Sequence, residues 1–256
     1  MPQADPQPVT VVNAAGVSPV VLLCEHASNH IPAPYARLGL TQADLQRHIA
    51  YDIGAADVAR ELSLRLDAPL ILSGYSRLLI DCNRPLTAPS SIPERSEATD
   101  IPGNTGIDAG ERARRDAMFF APFREKVAEI LDERLAGRRA TLLIGMHSFT
   151  PVYMGVARPW HAGFLFLRAA RLGRALIEAL RASDPALVVG DNEPYQVTLE
   201  SDYTVPYQGD VRGIPTALIE VRQDLISNSP GVLAWAETLA GVLRAVAENP
   251  GATSGS

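Results

Sequence analysis

Short apolar runs alternate with longer amphipathic stretches along almost the whole chain of 256 residues. Runs that are rich in Val, Ile and Leu are typical of strands that are buried on both faces of a sheet. The sequence therefore predicts four such strands and two weaker candidates. The four strands are Pro19–Cys24, Pro69–Ser73, Thr141–Met146 and Thr216–Val221, and the weaker candidates are Gly163–Leu167 and Leu187–Gly190.

The stretches between these runs carry apolar residues at helical spacing, which predicts helices. The predicted helices are Ile49–Leu66, Asp108–Leu135, Arg168–Arg181 and Val232–Val246. The helix at 108 begins with an Asp-Ala-Gly-Glu capping signal. Strands that alternate with helices favour a mostly parallel sheet between two layers of helices.

One domain, from residue 9 to residue 248, is the predicted organisation, because neither an internal repeat nor a linker divides the chain. Residues 1–8 and 249–256 are expected to be disordered tails. Thr87–Gly106 is rich in Pro, Ser, Thr and Gly and shows no period. A loop of this length inside a domain is usually functional or mobile.

Composition and charge exclude several classes of function. A net charge of −6 and scattered basic residues argue against a nucleic-acid partner. No apolar run reaches the length of a membrane span, and no signal peptide is recognisable, so we expect a cytoplasmic protein without a membrane partner. Two cysteines, Cys24 and Cys82, are too few for a disulfide framework and fit a reducing compartment.

Polar residues follow four of the predicted strands. In open α/β sheets, ligands bind at the carboxyl ends of the strands. The residues there are Glu25 and His26; Arg77, Asp81, Asn83 and Arg84; His147 and Ser148; and Glu220 and Arg222. Because two histidines, several carboxylates and arginines converge on one edge of the sheet, the sequence predicts a functional site there.

His26 and His147 are candidate metal ligands. His147 interrupts an apolar strand where that strand leaves the core, whereas His26 alone is explained equally well as a histidine satisfied by the backbone. Two histidines and one carboxylate form a common catalytic zinc set with one position open for water. Zinc in such a site acidifies its water and polarises a carbonyl, which amide hydrolysis requires.

Glu220 and the arginines have two interpretations each. Glu220 lies on the same face of its strand as Arg222, so it is either a general base or half of a buried ion pair. Asn83 and Arg84 offer an amide beside a planar guanidinium, which suits a substrate carboxylate. Arg77 is placed to stabilise an oxyanion. The alternative for Arg77 and Arg84 is a surface salt bridge.

Four segments, in this order along the chain, resemble the N-formylglutamate amidohydrolase family. They are Glu25-His26-Ala27-Ser28-Asn29, Ser76-Arg77 with Asp81-Cys82-Asn83-Arg84-Pro85, Asn192-Glu193-Pro194-Tyr195, and Ile219-Glu220-Val221-Arg222-Gln223-Asp224. Together they are far more specific than any one of them alone.

The resemblance implies a three-layer α/β/α fold with a mixed, mostly parallel sheet, similar to zinc exopeptidases, and one catalytic Zn²⁺ per chain. It places His147 among the metal ligands and Ser148 beside the substrate. It further implies that Asn83 and Arg84 grip the substrate carboxylate. Glu220 is the implied base, and Arg222 positions that carboxylate or a substrate acid.

Two departures from the family pattern change this picture. Asn29 stands where the related zinc carboxypeptidases have a glutamate ligand. Asp52 is our choice for the third ligand, with Glu25 as the alternative, although a carboxylate is also common at a helix start. Tyr207-Gln208 stands where a histidine is expected. This second departure leaves the substrate side chain open.

The expected function is metal-dependent hydrolysis of the linear amide of a small N-acyl amino acid, such as N-formyl-L-glutamate. One alternative is a thiol amidohydrolase with Cys24 as nucleophile, two residues from His26. Another is a binding protein that retains the Asn83–Arg84 clamp but has lost its metal through Asn29. A serine hydrolase is disfavoured, because no Gly-x-Ser-x-Gly motif occurs.

Overall fold

The computed structural model describes residues 5–249, and its strands belong to one large sheet and two small hairpins. The strands are β1 (Val9–Val12), β2 (Val20–Cys24), β3 (Leu70–Ser73), β4 (Arg95–Ser96), β5 (Thr99–Asp100), β6 (Leu142–Phe149), β7 (Val152–Tyr153), β8 (Val156–Ala157), β9 (Ala162–Leu165), β10 (Val189–Asp191) and β11 (Thr216–Arg222). The large sheet has the order β1-β3-β2-β6-β11-β9-β10. The β1–β3 and β9–β11 pairs are antiparallel and the other neighbours are parallel, so the sheet is mixed and mostly parallel.

Helices connect most of these strands. The α-helices are α1 (Gln42–Leu45), α2 (Ala55–Leu66), α3 (Ala109–Arg115), α4 (Ala121–Ala136), α5 (Ala170–Ser183) and α6 (Ser229–Ala247). The 3-10 segments are Ala33–Gly39, Pro89–Ser91, Pro102–Asn104, Asp210–Arg212 and Gln223–Leu225, and the π-helical segments are Asp116–Phe120 and Thr204–Gly209. Within residues 5–249, no helix has the length and apolar character needed to cross a membrane.

The sheet lies between two layers of helices. On one face, Leu22, Ile144 and Ile219 pack in a cluster that includes buried residues of α2, α5 and α6. On the other face, alternate residues such as Leu23 and Leu143 pack against the buried side of α4. The predicted α/β class, with a mixed and mostly parallel central sheet, is therefore confirmed.

Differences from the sequence prediction concern where the elements begin and end. The helix predicted to start at Ile49 begins at Ala55, because Gly54 adopts a left-handed conformation with φ of 78°. A Cβ atom at Gly54 would lie 2.2 Å from the carbonyl oxygen of Ile226, so the close packing also requires glycine. The residues before Gly54 form a turn, and this turn carries Asp52.

The predicted helix at 108–135 consists of two α-helices joined by a π-helical segment. Asp108 caps it as expected, because its side chain accepts a hydrogen bond from the backbone N–H of Glu111. The π-helical segment Asp116–Phe120 then separates α3 from α4. Strand β1 lies at the edge of the sheet and was not predicted.

The amino-terminal residues that the structure describes are held against the domain. The hydroxyl of Tyr75 donates to the carbonyl oxygen of Pro6 at 2.6 Å, and the N–H of Gly74 donates to that of Pro8 at 3.1 Å. Residues 5–8, which were predicted to belong to a disordered tail, thus include two that make hydrogen bonds with the domain. Of the predicted tails, residues 1–4 and 250–256 lie outside the described residues.

The loop predicted at 87–106 is folded around a buried arginine. Arg115 donates to the carbonyl oxygens of Leu79 and Gly103, at 3.0 and 3.1 Å, and to Oδ1 of Asn104 at 2.6 Å. Its Nε also donates to Glu111 at 2.8 Å. Because this guanidinium binds Leu79 outside the loop and Gly103 and Asn104 within it, it ties the loop to the body of the domain.

Replacing Arg115 tests this tie. For Arg115→Met, we expect the free energy of unfolding to fall by about 2–4 kcal/mol, because buried oxygens lose their donor. Urea denaturation monitored by circular dichroism measures the change. Arg114→Met is the matched control, since Arg114 pairs with the same Glu111 but is exposed, and there we expect a loss of less than about 1 kcal/mol. Equal losses in the two variants would contradict the structural role of Arg115.

Candidate metal and active site

A cavity of about 470 Å³ opens at the carboxyl ends of β2, β6 and β11. It brings together eight of the nine site residues that the sequence predicted. The eight are His26, Asp52, Arg77, Asn83, Arg84, His147, Ser148 and Glu220. A groove of about 650 Å³ along α5 and α6 is larger, but its lining holds no comparable cluster of histidines and carboxylates.

His26, Asp52 and His147 form the one cluster within residues 5–249 whose side chains are close enough to share a metal ion. Nδ1 of His26 lies 3.2 Å from Oδ2 of Asp52, and Nδ1 of His147 lies 2.9 Å from the same oxygen. Ligand atoms about 2 Å from a tetrahedral zinc ion are about 3.3 Å from one another. The two distances to Asp52 are close to this value, and all three ligand atoms lie within 4.8 Å of one another, so the three side chains fit a site for an ion such as zinc.

The turn between β2 and α2 holds Asp52 in place. Its N–H donates to the carbonyl oxygen of His26 at 3.0 Å, and its own carbonyl accepts from Ala55 at the start of α2. The N–H of Ser148 donates to Oδ2 at 3.3 Å, while the Ser148 hydroxyl donates to the carbonyl oxygen of Ile53 at 2.8 Å. Ser148 thus lines the cavity and also fixes the turn that carries Asp52.

A second carboxylate faces the outer nitrogen of each histidine. Nε2 of His26 lies 2.8 Å from Oδ1 of Asp81, and Nε2 of His147 lies 3.1 Å from Oε2 of Glu25. Histidines that bind metals usually direct their second nitrogen at a carboxylate or a carbonyl oxygen. This arrangement on both rings is a further observation that fits a metal held at the Nδ1 atoms.

Electrostatic attraction dominates this buried cluster. Burial acts to lower the pKa of His147, but Glu25 and Asp52 outweigh it and hold that pKa well above its ordinary value. Burial acts to raise the pKa of Asp52, but the two histidines lower it strongly. Arg77 binds Asp81 through Nη2 at 2.7 Å and reaches Asp52 at 3.4 Å. Arg77 therefore offsets the charge of two carboxylates at the cavity wall.

Glu220 lies beside His147, because the two residues are register partners in the parallel pair β6–β11. The side chain is buried, and its Oε2 has no hydrogen-bond partner in the part of the chain that the structure describes. Burial raises the pKa of Glu220 to about 7, and the carboxylate of Asp52 acts in the same direction. A carboxyl group with such a pKa can both accept and return a proton near neutral pH.

Asn83 and Arg84 also line the cavity, but the side chain of each already makes hydrogen bonds within the protein. Oδ1 of Asn83 accepts from the backbone N–H groups of Tyr203 and Thr204, at 3.1 and 2.9 Å. Nη1 of Arg84 lies 3.4 Å from Oδ1 of Asp202. Both residues therefore anchor the segment Ser201–Thr204 at the cavity.

Arg222 is the one predicted site residue that the structure does not bring to the cavity lining. Its guanidinium binds Asp224 at 2.8 Å and reaches the carbonyl oxygen of Trp160 at 3.4 Å. The two-residue period of a strand predicted that Arg222 shares a face with Glu220, but its long side chain binds Asp224 instead. Asn29 also points elsewhere, since its side-chain amide donates to the carbonyl oxygen of Leu45.

Cys24 is not placed to act as a nucleophile. It is fully buried among the apolar residues on the α2 side of the sheet, whereas the residues after it face the cavity. Burial, reinforced by Asp52 and Glu25, raises the pKa of the thiol well above its ordinary value. The position of Cys24 therefore does not support the alternative of a thiol amidohydrolase.

Several contributors to the site had no role assigned from sequence. Asp81 and Thr204 are two of them, and a carboxylate or hydroxyl that acts through another side chain leaves no spacing signal in the sequence. A carboxylate directly after the apolar run 78–80 was the available signal for Asp81. The loop 87–106 contributes Arg95 and Glu97 to the cavity lining, and the segment 192–195 contributes Tyr195.

Comparison with known proteins places the chain in one family and one fold. A family model described as N-formylglutamate amidohydrolase matches residues 18–227. The crystal structure of gene product Atu2144 from Agrobacterium tumefaciens is 39% identical, with a TM-score of 0.89, over 95% of this chain and 98% of that chain. The N-formylglutamate amidohydrolase from Ralstonia eutropha JMP134 shares the fold, with a TM-score of 0.60 and 15% identity over 94% of this chain and 97% of that chain. Among curated proteins, no sequence matches significantly.

The burial of the cysteines leads to a direct test. A water-soluble disulfide reagent should react with neither Cys24 nor Cys82 in the folded protein, because both thiols are buried and both have a raised pKa. Absorbance of the released thiolate measures the reaction, and the same sample in denaturant is the control, where both thiols should react. Rapid reaction of one thiol before unfolding would contradict the position of that cysteine.

Proposed function

The chain belongs to the N-formylglutamate amidohydrolase family and is an amidohydrolase, and we propose that it hydrolyses the linear amide of a small N-formyl amino acid such as N-formyl-L-glutamate with the help of one zinc ion. The observation that carries this proposal is the cluster of His26, Asp52 and His147 beside the unpaired carboxyl group of Glu220. A Lewis acid and a base in one cavity are what amide hydrolysis needs.

His26, His147 and Asp52 would hold the zinc ion. Two nitrogens and one oxygen are a donor set that zinc prefers, and three protein ligands leave a position for chemistry. When bound, zinc polarises the substrate carbonyl and makes water more acidic. Asp52 takes the place of the glutamate that the related carboxypeptidases have at position 29, so the alternative of a binding protein that has lost its metal is not supported.

Glu220 is proposed as the general base. It accepts a proton from the attacking water, and it then delivers this proton to the leaving nitrogen as the C–N bond breaks. The products are formate and the free amino acid, so one water is consumed for each amide. Because its register partner is His147, the carboxyl group lies next to the proposed metal position.

The substrate carboxylate is proposed to bind Asn83 and Arg84. The Nη1 side of Arg84 faces Asp202 and the carbonyl oxygen of Ser201, which fixes the guanidinium and sets its orientation. Arg77, already held by Asp81 and Asp52, is proposed to stabilise the negative charge that develops on the carbonyl oxygen. Arg222 has no part in this scheme, because it lies outside the cavity lining.

Removing either histidine tests the metal site. We expect His26→Ala and His147→Ala to lose stoichiometric zinc, because each leaves only two protein ligands. Mass spectrometry of the dialysed protein for zinc measures the content, with circular dichroism to verify the fold. His161→Ala is the control, since His161 lies at the α5–α6 groove and should leave zinc binding unchanged. Retention of zinc in both site variants would refute the ligand assignment.

Replacing Glu220 tests the reaction itself. We expect Glu220→Gln to retain zinc while formate release from N-formyl-L-glutamate slows by about 100-fold to 10,000-fold, because the proton acceptor is lost. The loss should be in kcat, with little change in KM. Glu237→Gln, on the exposed side of α6, is the control and should retain full activity.

Three outcomes distinguish the parts of this proposal. Absence of formate release by the zinc-loaded wild-type protein would reject N-formyl-L-glutamate as substrate, and release from N-formyl derivatives of other amino acids would then identify the side chain. Loss of zinc from Glu220→Gln would make Glu220 a ligand. Full activity in this variant would exclude it as the base.

A further inference from the structure

His147 and Glu25 are a buried pair whose facing atoms have no alternative partner. Oε2 of Glu25 and Nε2 of His147 are both shielded from solvent, and within residues 5–249 neither forms a hydrogen bond of regular geometry, so their partner is identified by distance alone. They lie 3.1 Å apart. An unsatisfied buried polar atom is costly, so each of these atoms depends on the other.

The direction of this pair decides which nitrogen of His147 is left for a metal. A neutral imidazole carries its proton on one nitrogen and a lone pair on the other. A carboxylate only accepts, so the Glu25 carboxylate favours the proton on Nε2. The lone pair is then on Nδ1, the nitrogen that faces Asp52 and Nδ1 of His26 across the proposed metal position.

Thr204 holds the carboxylate of Glu25 in this orientation. Its hydroxyl donates to Oε1 of Glu25, which leaves Oε2 for the histidine. Both side chains are buried, with 1% of each residue exposed, so water does not compete for these bonds. The hydroxyl is held in turn by the backbone, since the N–H of Thr204 donates to Oδ1 of Asn83 at 2.9 Å.

The segment that contains Thr204 also contacts the proposed substrate clamp. Asn83 accepts from the N–H groups of Tyr203 and Thr204, and its own N–H donates to Oδ1 of Asp81 at 2.9 Å. Asp81 faces His26 in the way that Glu25 faces His147. Asn83 is therefore linked to the carboxylates behind both histidines.

We propose that Glu25 and Thr204 are positioning residues that orient His147 for metal binding, with the Thr204 hydroxyl fixing Glu25 and Glu25 fixing the ring and its proton. This inference rests on the proposed function, because it assumes that His147 binds zinc through Nδ1. It assigns an effect on metal affinity to Thr204, which is not one of the proposed ligands.

Zinc affinity of the full-length protein is the readout. Each protein is stripped with a chelator, and its dissociation constant for zinc is measured by competition with a chromophoric chelator. We expect Thr204→Val, which keeps the shape but removes the donor, to weaken zinc binding by about 10-fold to 100-fold, and Thr204→Ser to restore most of the affinity. Glu25→Gln should weaken it at least as much, because the amide NH₂ would face Nε2 and favour a proton on Nδ1 instead.

Thr216→Val is the matched control. Thr216 is equally buried, and its hydroxyl donates to the carbonyl oxygen of Ile214 at 2.8 Å, at the opposite end of β11 from the cavity. We expect its zinc affinity to equal that of the wild type, although thermal unfolding of the metal-free protein should show a loss of stability like that of Thr204→Val.

The outcomes separate this inference from the proposed function. Zinc binding by Thr204→Val and Glu25→Gln as tight as by the wild type would overturn the positioning role and leave the metal site intact. An equal loss of affinity in Thr216→Val would also overturn it, since the effect would then be general destabilisation. If the wild type itself bound no zinc, the proposed function would fail together with the inference. Should Glu25→Gln not fold, Thr204→Val decides alone, because it removes a single hydroxyl.

Discussion

The structure of the cavity depends on the contacts of two imidazoles, those of His26 and His147, with the buried carboxylate of Asp52. Removing an ionised carboxylate from water costs several kcal/mol unless charges and donors replace the water. Glu25, Asp81 and Glu220 are buried around Asp52, and Arg77 is the permanent cation that pairs with Asp52 and Asp81. A divalent cation at the histidines would supply the compensating charge that such a group of carboxylates requires, which is the physical reason to expect a metal here.

The parallel strands bring these groups to one place. Adjacent parallel strands end at the same edge of the sheet, so residues at the ends of β2, β6 and β11 meet even though they are far apart in the chain. The register places Glu220 beside His147. Gly145, two residues before His147, leaves room for the side chain of its register partner Leu218, since a Cβ atom there would lie 2.5 Å from Cδ2 of Leu218.

The segments between the strands supply the remaining side chains of the site. The turn before α2 supplies Asp52, the segment after β3 supplies Asp81 and Asn83, and the segment Ser201–Thr204 reaches Glu25. Asn83 joins these parts, because it binds Asp81 through its N–H and the 203–204 backbone through its side chain. Recognition of a carboxylate by Asn83 and Arg84 would therefore occur on the same framework that supports the histidines.

Much of this protein follows from the sequence alone. Apolar runs that alternate with helical stretches determine an α/β fold, and polar residues at the strand ends determine which side chains meet, so His26, His147 and Glu220 could be named without coordinates. The tertiary structure decided what local patterns do not encode. The turn that carries Asp52 depends on the close packing of Gly54 against Ile226. The Arg222 side chain binds Asp224 and does not line the cavity. The roles of Asp81 and Thr204 arise only from contacts between distant segments, for which sequence spacing carries no signal.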